Sequence, residues 1–334
     1  MPGTDQLNQN APSVALARSA LPNLDVSALF GPDDSARRAL VETIAQALED
    51  PGFFYIHNTC VGVDVIESAL EAARRFFALP DTDAIKQNVH FDHANGEKGW
   101  GPLYSEPPYQ AGTRAHLESF DLGQQLESSQ YEALGIVPNI WPELDGFRAA
   151  VTDYYEAITR LGRAISEVFS ELLGQPRDFI NRRSGPSAPR TMRMLHYPPC
   201  LQPEADQVGI SAHTDFECFT LMYQTAGGLE LTRPTGEWCV APSDVGTFTV
   251  IAGDMTERLS NGRYRATGHR VVDTAWTRLS MILFWALDRD CEVAPLPDFV
   301  SPSNPPRYAP VRQWQHIRDE LARADANRAD PGGL

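Results

Sequence analysis

Basic residues are scarce in this chain of 334 residues. Lysine and arginine together number 28, against 44 aspartates and glutamates, which gives a formal net charge of -16 at pH 7. Nucleic acids and acidic membrane surfaces are bound through clusters of basic side chains, so this shortage argues against both as partners. The partner that we expect is a small molecule, and the chain itself is expected to be a monomer.

Paired cysteines, long apolar runs and a cationic leader are also lacking. The five cysteines are odd in number and have no CxxC spacing, which indicates neither a disulfide framework nor a zinc site. The longest fully apolar run, residues 281–287, is far shorter than the roughly 20 residues that a membrane-spanning helix needs. No cationic segment followed by an apolar stretch opens the sequence, so a cytoplasmic location is expected.

The pattern of apolar residues changes near residue 190. Before it, helical spacing predicts helices over 33–50, 66–77 and 146–173, with a strand at 53–56. After it, short β-rich runs are separated by turn residues, a pattern typical of a jelly roll or sandwich. The expected strands are 191–197, 219–223, 238–241, 248–251, 270–272 and 279–285, and a last helix is expected at 311–322.

These patterns predict a mostly β protein with flanking helices. Its core is a double-stranded β-helix, or jelly roll, with an N-terminal α/β region and a C-terminal helix. The expected divisions are a flexible tail (1–20), a helical and mixed region (21–145), a supporting helix with its linker (146–189), the jelly roll (190–295), a C-terminal segment and helix (296–322) and a second tail (323–334).

One short motif and one distant histidine supply metal-binding side chains. On extended backbone, His213 and Asp215 point to the same face, because residues two apart share a side of a strand. His269 is the third candidate. Two imidazoles and one carboxylate leave open positions on a ferrous ion, as iron oxygenases require, although zinc hydrolases can use the same ligand types.

An arginine nine residues after His269 favours iron chemistry over zinc hydrolysis. Arg278 and Ser280 are again two apart on a predicted strand, so a guanidinium and a hydroxyl share a face. Together they can anchor a carboxylate, because the guanidinium fork matches two carboxylate oxygens. An internal salt bridge is the alternative role for Arg278.

Motifs along nearly the whole chain resemble the iron(II) and 2-oxoglutarate dependent dioxygenases of the isopenicillin N synthase-like superfamily. The matching segments are 21–27, 52–58, 76–80 and 118–120 in the first part, and 197–200, 213–215, 227–230, 253–254, 260–263, 269–272 and 278–280 in the second. Their number and their common order make chance agreement implausible.

The resemblance implies a role for each motif residue. It makes His213, Asp215 and His269 the ligands of Fe(II), and it assigns Arg278 and Ser280, helped by Tyr197, to the far carboxylate of 2-oxoglutarate. Dioxygen is the other cosubstrate, with ascorbate as an optional reductant. Two positions depart from the plant pattern, in which asparagines stand where this chain has Leu195 and Ile251. Contacts to the cosubstrate near the metal are therefore expected to differ from those of plant members.

Substrate contacts are less clearly encoded. If Tyr197 points into the barrel, Arg193 does too, where it would meet either an anionic substrate group or a barrel carboxylate. The loop-rich stretch 95–115 is expected to help roof the pocket, with an ordinary surface loop as the alternative. The substrate candidates are Arg193, Leu195, Phe216, Phe219, Ile251, Phe284 and Tyr104, and core packing is the stronger expectation for each phenylalanine.

Three functions are compatible with these residues. The first is hydroxylation, desaturation or cyclisation of a small organic substrate coupled to decarboxylation of 2-oxoglutarate. The second is an iron oxidase of the same fold that consumes no 2-oxoglutarate and uses Arg278 and Ser280 to hold its substrate's own carboxylate. The third is a barrel that binds a metal or small molecule without redox turnover.

Overall fold

The computed structural model describes residues 7–14 and 21–329. Its helices are α1 (Asp34–Glu49), α2 (Val63–Phe77), α3 (Ala84–Gln87), α4 (Ser128–Leu134), α5 (Phe147–Leu172), α6 (Asp254–Leu259) and α7 (Gln313–Ala329). Its first strands are β1 (Ser13–Val14), β2 (Asn23–Asp25), β3 (Phe53–His57), β4 (Gly99–Gly101), β5 (Arg114–Ala115), β6 (Glu118–Leu122), β7 (Met192–Tyr197), β8 (Gln207–Val208) and β9 (Ile210–His213). The remaining strands are β10 (Phe219–Gln224), β11 (Leu229–Thr232), β12 (Trp238–Val240), β13 (Phe248–Ala252), β14 (His269–Val271), β15 (Arg278–Trp285), β16 (Glu292–Val293) and β17 (Val311–Arg312).

Two sheets form the barrel. The larger has eight strands in the order β2-β3-β13-β10-β15-β7-β6-β4, and the smaller has five in the order β1-β12-β11-β14-β9. A buried apolar cluster joins them, with Leu195, Met222 and Ile282 from the larger sheet meeting Leu229 and Val271 from the smaller. This arrangement, with helices outside the larger sheet, confirms the predicted jelly-roll core.

The helices cover the outer face of the larger sheet. Helix α5 packs against β15 and α2, and its Phe169 stacks on Phe219 of β10 with ring centroids 4.7 Å apart. Close approach at this layer depends on Gly162, since a Cβ there would lie 2.4 Å from the ring of Trp285. The inner face of the larger sheet is thereby left to line the barrel.

Within the described residues, regular secondary structure extends into both segments that were expected to be tails, 1–20 and 323–334. Strand β1 pairs in parallel with β12, and the guanidinium of Arg270 donates to the carbonyls of Asn8 and Ala11. At the other end α7 continues past the expected end at residue 322 to Ala329. Local patterns did not indicate either feature, because the stabilising contacts come from residues far along the chain. In the described residues, no helix combines the length and apolar character needed to cross a bilayer.

Candidate active site

Strand pairing brings the two predicted histidine ligands together. His213 ends β9 and His269 begins β14, and the two are directly opposite each other in the antiparallel ladder. Their imidazole centroids are 4.1 Å apart. Asp215 follows β9 by two residues, and its Oδ1 lies 3.8 Å from Nε2 of His213 and 3.6 Å from Nε2 of His269. The three predicted metal ligands therefore converge.

Backbone carbonyls orient both imidazoles. Nδ1 of His213 donates to the carbonyl of Ser211 at 2.8 Å, and Nδ1 of His269 donates to the carbonyl of Thr267 at 3.1 Å. Because each Nδ1 carries the proton, each Nε2 is left with a free lone pair that faces Asp215. This arrangement, in which the second ring nitrogen fixes the first, is typical of metal-binding histidines.

Burial also favours the metal-binding protonation state of His213. Desolvation, followed by the charge of His269, holds the pKa of His213 well below its usual value, so its imidazole is neutral. Burial raises the pKa of Asp215 and outweighs the lowering effects of His269 and of the hydrogen bond from Thr220. No lysine or arginine in the described residues forms a salt bridge with its carboxylate. A divalent cation between these groups would supply the positive charge that the buried carboxylate needs.

Two further contacts fix Asp215. The hydroxyl of Thr220, on β10, donates to its Oδ2, which leaves Oδ1 facing the imidazoles. The backbone of Asp254 donates to the carbonyl of Asp215 at 2.8 Å. That approach depends on Gly253, where a Cβ would lie 3.0 Å from the same carbonyl and 2.3 Å from the carbonyl of Glu217. The Gly253–Asp254 motif therefore stabilises the loop that carries Asp215.

The donor set suits a ferrous ion. The ligand atoms of His213, Asp215 and His269 lie within 4.8 Å of one another, and all three residues are buried. Three such ligands on one side of an octahedral ion leave three positions for other groups. The residues present therefore fit an iron centre with open coordination sites.

Arg278 is a second buried group that lacks a full set of partners. Its Nη2 donates to Oε1 of Gln224 at 2.8 Å and makes a weaker contact of 3.5 Å with Ser280, while its guanidinium carbon lies 4.5 Å from the ring centroid of Tyr197. Its Nε and Nη1 have no hydrogen-bond partner in the described residues. Burial accordingly lowers the pKa of Arg278.

The Nε and Nη1 donors of Arg278, which have no partner in the described residues, would be satisfied by a bound anion. An unsatisfied buried donor costs about 1–3 kcal/mol, and more when it is charged. No carboxylate in the described residues pairs with Arg278, so the internal salt bridge considered from the sequence is not formed there. The arginine, Ser280 and Tyr197 line the same cavity as the metal-binding residues.

That cavity has a volume of about 540 Å³ and runs between the two sheets. Of the proposed substrate contacts, four line it: Arg193, Leu195, Phe216 and Phe284. Arg193 forms two hydrogen bonds with Glu106, of 2.9 and 2.7 Å, and a third of 3.0 Å with Asp121. The structure therefore favours the second of the two roles expected for Arg193, pairing with carboxylates of the protein.

Three of the substrate candidates lie away from the cavity, which agrees with the core packing favoured for Phe219 and corrects the expectation for Ile251 and Tyr104. Phe219 alternates with Thr220 along β10 and therefore faces α5 on the outside of the sheet. Ile251 is fully buried in the apolar cluster between the sheets but does not reach the cavity. Tyr104 stacks on His116, at 5.5 Å, outside the cavity wall.

A short roof segment, residues 105–110, closes over the metal-binding residues. The ring of Tyr109 stacks on His213 with centroids 4.2 Å apart and planes 11° apart, and its hydroxyl donates to Glu106. The backbone N–H of Tyr109 donates to Ser211 on β9, and Asn327 of α7 donates to the carbonyl of Pro108. Within the stretch 95–115 that was expected to roof the pocket, Tyr109 covers the metal-binding residues and Tyr104 does not.

Several residues of the site had no signal in the sequence. Thr220, Glu106, Lys98 and Gln224 belong to none of the recognised motifs, and their place in the site follows from the residues that surround them in space. Only alternation along β10 could have indicated Thr220 and Gln224, since both share the face of Met222, which lines the cavity.

Two family models match the chain. One, described as the 2OG-Fe(II) oxygenase superfamily, covers residues 189–286, and the other, described as non-haem dioxygenase in morphine synthesis N-terminal, covers residues 21–144. The first contains all three candidate metal ligands and Arg278. The second matches the helical and mixed region that precedes α5.

Relatives are similar over most of their length. A 2-oxoglutarate-Fe(II) type oxidoreductase, hxnY, of Emericella nidulans is 30% identical, with 91% of this chain and 90% of that protein covered. The homoarginine-6-hydroxylase 2-ODD-C23.1 of Arabidopsis thaliana is 31% identical, with 83% and 87% covered.

Solved structures agree in fold. A protein of Caulobacter crescentus assigned to the 2OG-Fe(II) oxygenase family superposes with a TM-score of 0.77 at 26% identity, covering 91% of this chain and 98% of its own. The dioxygenase for auxin oxidation of rice superposes with a TM-score of 0.72 at 22% identity, covering 90% and 95%, which supports the fold alone. By sequence and by fold, the chain belongs to the iron(II) and 2-oxoglutarate dependent oxygenases.

Proposed function

We propose that His213, Asp215 and His269 hold Fe(II), and that Arg278 with Ser280 and Tyr197 holds the distal carboxylate of 2-oxoglutarate. The observation that carries the assignment is the guanidinium of Arg278, which is buried in the same cavity as the metal-binding residues and has two nitrogens, Nε and Nη1, without a hydrogen-bond partner among the described residues. One carboxylate of a dicarboxylate can bind the metal while the other accepts hydrogen bonds from Arg278. The enzyme oxidises a small organic substrate in the same cavity.

The protein's own residues position and protect the reaction centre. The bound iron and 2-oxoglutarate supply the oxidising chemistry when dioxygen reacts. Thr220 and the two backbone carbonyls hold the ligands in one orientation, so little rearrangement is needed when the metal binds. Tyr109 stacks on His213 and contacts Phe216, which packs against His316 of α7, so these two aromatic rings would shield a metal bound there from water.

The substrate region begins where the cavity passes Arg193. Its wall combines aromatic faces from Phe216 and Phe284 with the paired charges of Arg193, Glu106 and Asp121. Since Arg193 is already neutralised by two carboxylates, it does not favour an anionic group. An organic substrate with a hydrophobic body and a few polar groups fits this wall. Hydroxylation, desaturation and cyclisation are all outcomes of this proposal, since each can begin with abstraction of a hydrogen from the substrate.

An oxidase that consumes no 2-oxoglutarate is the competing function within the same fold. It would use Arg278 to hold its substrate's carboxylate. The relatives favour 2-oxoglutarate, because they include a 2-oxoglutarate-Fe(II) type oxidoreductase and a 2-oxoglutarate-dependent dioxygenase. A passive metal-binding barrel is disfavoured because it has no need for a free guanidinium next to an open metal site.

Succinate formation tests the proposal. Purified protein loaded anaerobically with Fe(II) is exposed to dioxygen with 2-oxoglutarate and with ascorbate, which supplies the two electrons that an organic substrate would otherwise give, and succinate is measured against dioxygen consumed. We expect one succinate per dioxygen. We expect Arg278→Lys, which keeps the charge but loses the planar fork, to raise the KM for 2-oxoglutarate about tenfold or more. Absence of succinate above the level of a control with Fe(II) and ascorbate but no protein would contradict the proposal and favour the oxidase. The monomeric state and the cytoplasmic location stay predictions.

A further inference from the structure

A second group of metal-binding side chains lies outside the cavity. The imidazole of His116, the sulfur of Cys200 and the carboxylate of Asp273 place one donor atom each within 4.8 Å of one another. They come from three stretches of chain: His116 follows β5, Cys200 lies in the loop after β7, and Asp273 follows β14. None of the three lines the cavity, and the function proposed above uses none of them.

Backbone contacts hold the three segments together. The N–H of His116 donates to the carbonyl of Val208 at 2.7 Å, and the N–H of Cys200 donates to the carbonyl of Thr274 at 2.7 Å. The ring of Tyr104 stacks on His116 and covers one side of the cluster. The donors are therefore positioned by secondary structure and packing, as a preformed metal site requires.

The charge of Asp273 is not balanced by any basic side chain in the part of the chain that the structure describes, except for the imidazole of His116. Its side chain is 6% exposed, and its oxygens contact Nδ1 of His116 at 3.0 Å and Nε2 of Gln207 at 3.3 Å. A buried carboxylate is costly unless an opposite charge accompanies it. A divalent cation with one carboxylate and one thiolate forms a site with no net charge.

Gln207 marks the point at which the donors meet. Its Nε2 lies 3.1 Å from Sγ of Cys200 as well as 3.3 Å from Asp273. An amide has nearly the same shape when its oxygen and nitrogen exchange places, and the oxygen then becomes a fourth donor at the same position. The described hydrogen bonds and a four-ligand metal site are thus related by one side-chain rotation.

We propose that His116, Cys200 and Asp273 bind a zinc ion, with Gln207 or a water molecule as the fourth ligand. Zinc prefers nitrogen and sulfur donors with tetrahedral geometry at roughly 2.0–2.3 Å, which places the ligand atoms roughly 3.3–3.7 Å apart. The present spacing, from 3.0 Å to below 4.8 Å, needs only small shifts to reach that arrangement. The ion would tie three loops together at the end of the barrel.

The two metal sites are expected to bind independently. Asp273 follows His269 by four residues, which corresponds to on the order of 13 Å along extended chain. They also differ in chemistry, because the candidate iron site contains no sulfur donor. That difference allows the second site to be detected on its own.

Cobalt(II) provides the test, because a cobalt–thiolate bond absorbs strongly in the near ultraviolet and cobalt bound only by nitrogen and oxygen does not. The full chain carrying His213→Ala and His269→Ala, which removes the iron site, is titrated with cobalt. We expect one cobalt per chain and the thiolate band. We also expect zinc to displace the cobalt and to raise the Tm of this protein.

Cys200→Ser and Asp273→Asn in the same background distinguish a metal site from a hydrogen-bonded cluster. We expect Cys200→Ser to abolish the band and Asp273→Asn to weaken cobalt binding at least tenfold, while Cys60→Ser, at an exposed cysteine, changes neither. Absence of the band from the parent protein, or its survival in Cys200→Ser, would overturn the proposal. If Cys200→Ser does not fold, the parent's band and the Asp273→Asn titration still decide. Because the iron site is absent throughout, these results are independent of the proposed oxygenase function.

Discussion

At the scale of single residues, the site depends on side chains that orient other side chains. Each imidazole of the triad is fixed by a backbone carbonyl, and Asp215 is fixed by Thr220. None of these partners touches the expected iron ion. Their effect is to remove alternative orientations of the ligands, so that the metal meets lone pairs already aimed at one point.

Thr220 offers the clearest test of this role. We expect Thr220→Val, which keeps the shape but removes the hydroxyl, to weaken Fe(II) binding about 10- to 100-fold, because Oδ2 of Asp215 loses its donor. Thr220→Ser retains a hydroxyl and should stay close to the parent protein. The measurement is metal competition at equilibrium, and equal affinities for the valine and serine variants would contradict the role.

Lys98 is a buried amine at the cavity wall that makes no hydrogen bond or ion pair within the described residues. Burial lowers its pKa from 10.5 to about 8. A lysine whose folded pKa is depressed destabilises the fold while it is charged. Between these two pKa values the unfolded chain binds more protons than the folded one, so this contribution to the free energy of unfolding rises with pH.

A methionine at this position removes the titrating group. We expect the stability of Lys98→Met relative to the parent protein to decline by about 2 kcal/mol between roughly pH 7.5 and 9.5, since each unit of pKa shift corresponds to roughly 1.4 kcal/mol. Chemical denaturation at several pH values measures the difference. Parallel profiles for the two proteins would show that Lys98 keeps an ordinary pKa in the folded chain.

At the scale of secondary structure elements, one charge cluster joins the roof segment to the larger sheet. Glu106 comes from the roof, Asp121 from β6 and Arg193 from β7. Burial alone would raise the pKa of Glu106, but the charge and hydrogen bonds of Arg193 outweigh burial and lower it. Burial dominates for Asp121, and its pKa is raised. The roof is therefore held mainly through Glu106.

Neutralising each acid in turn tests this asymmetry. We expect Glu106→Gln to lower the free energy of unfolding by about 3 kcal/mol, because a bidentate buried ion pair is lost. We expect Asp121→Asn to cost less than about 1 kcal/mol, since Arg193 keeps its stronger partner. Urea denaturation of both variants measures the two costs. A larger loss of unfolding free energy for Asp121→Asn than for Glu106→Gln would show that Asp121 is the stronger partner of Arg193.

At the scale of the whole molecule, burial of uncompensated groups links stability to ligand binding. Among the described residues, the cavity contains the carboxylate of Asp215, which forms no salt bridge with a lysine or arginine, and the guanidinium of Arg278, which forms none with a carboxylate. A metal ion would neutralise the carboxylate and a dicarboxylate would pair with the guanidinium, and both ligands bind only the folded chain. The protein without them is accordingly less stable than its large core would allow.

Thermal unfolding measures this link. In the presence of saturating Mn²⁺ as a redox-inert substitute for Fe(II), 2-oxoglutarate at about 100 times its Kd is expected to stabilise the fold by about 2.7 kcal/mol. At the same concentration, 2-oxobutyrate lacks the distal carboxylate and should stabilise it far less. Equal shifts for the two acids would show that Arg278 is not the anchor.

The motifs indicated which side chains are candidates for the chemistry and which kind of fold contains them. His213, Asp215, His269 and Arg278 were identifiable because each lies in a short segment whose spacing reflects one face of a strand, a local property of extended backbone. The helices α1, α2 and α5 were predictable for a similar reason, since their apolar stripes repeat at helical spacing.

Contacts between distant segments were decided only by the tertiary structure. Pairing of Arg193 with Glu106 joins residues 87 positions apart, and Tyr109 meets His213 across 104 positions of sequence. Nothing in the local pattern of either partner specifies the other, because these contacts arise from strand order and loop packing. The same reason explains why the proposed zinc ligands, three side chains without a shared motif, could be recognised only in the tertiary structure.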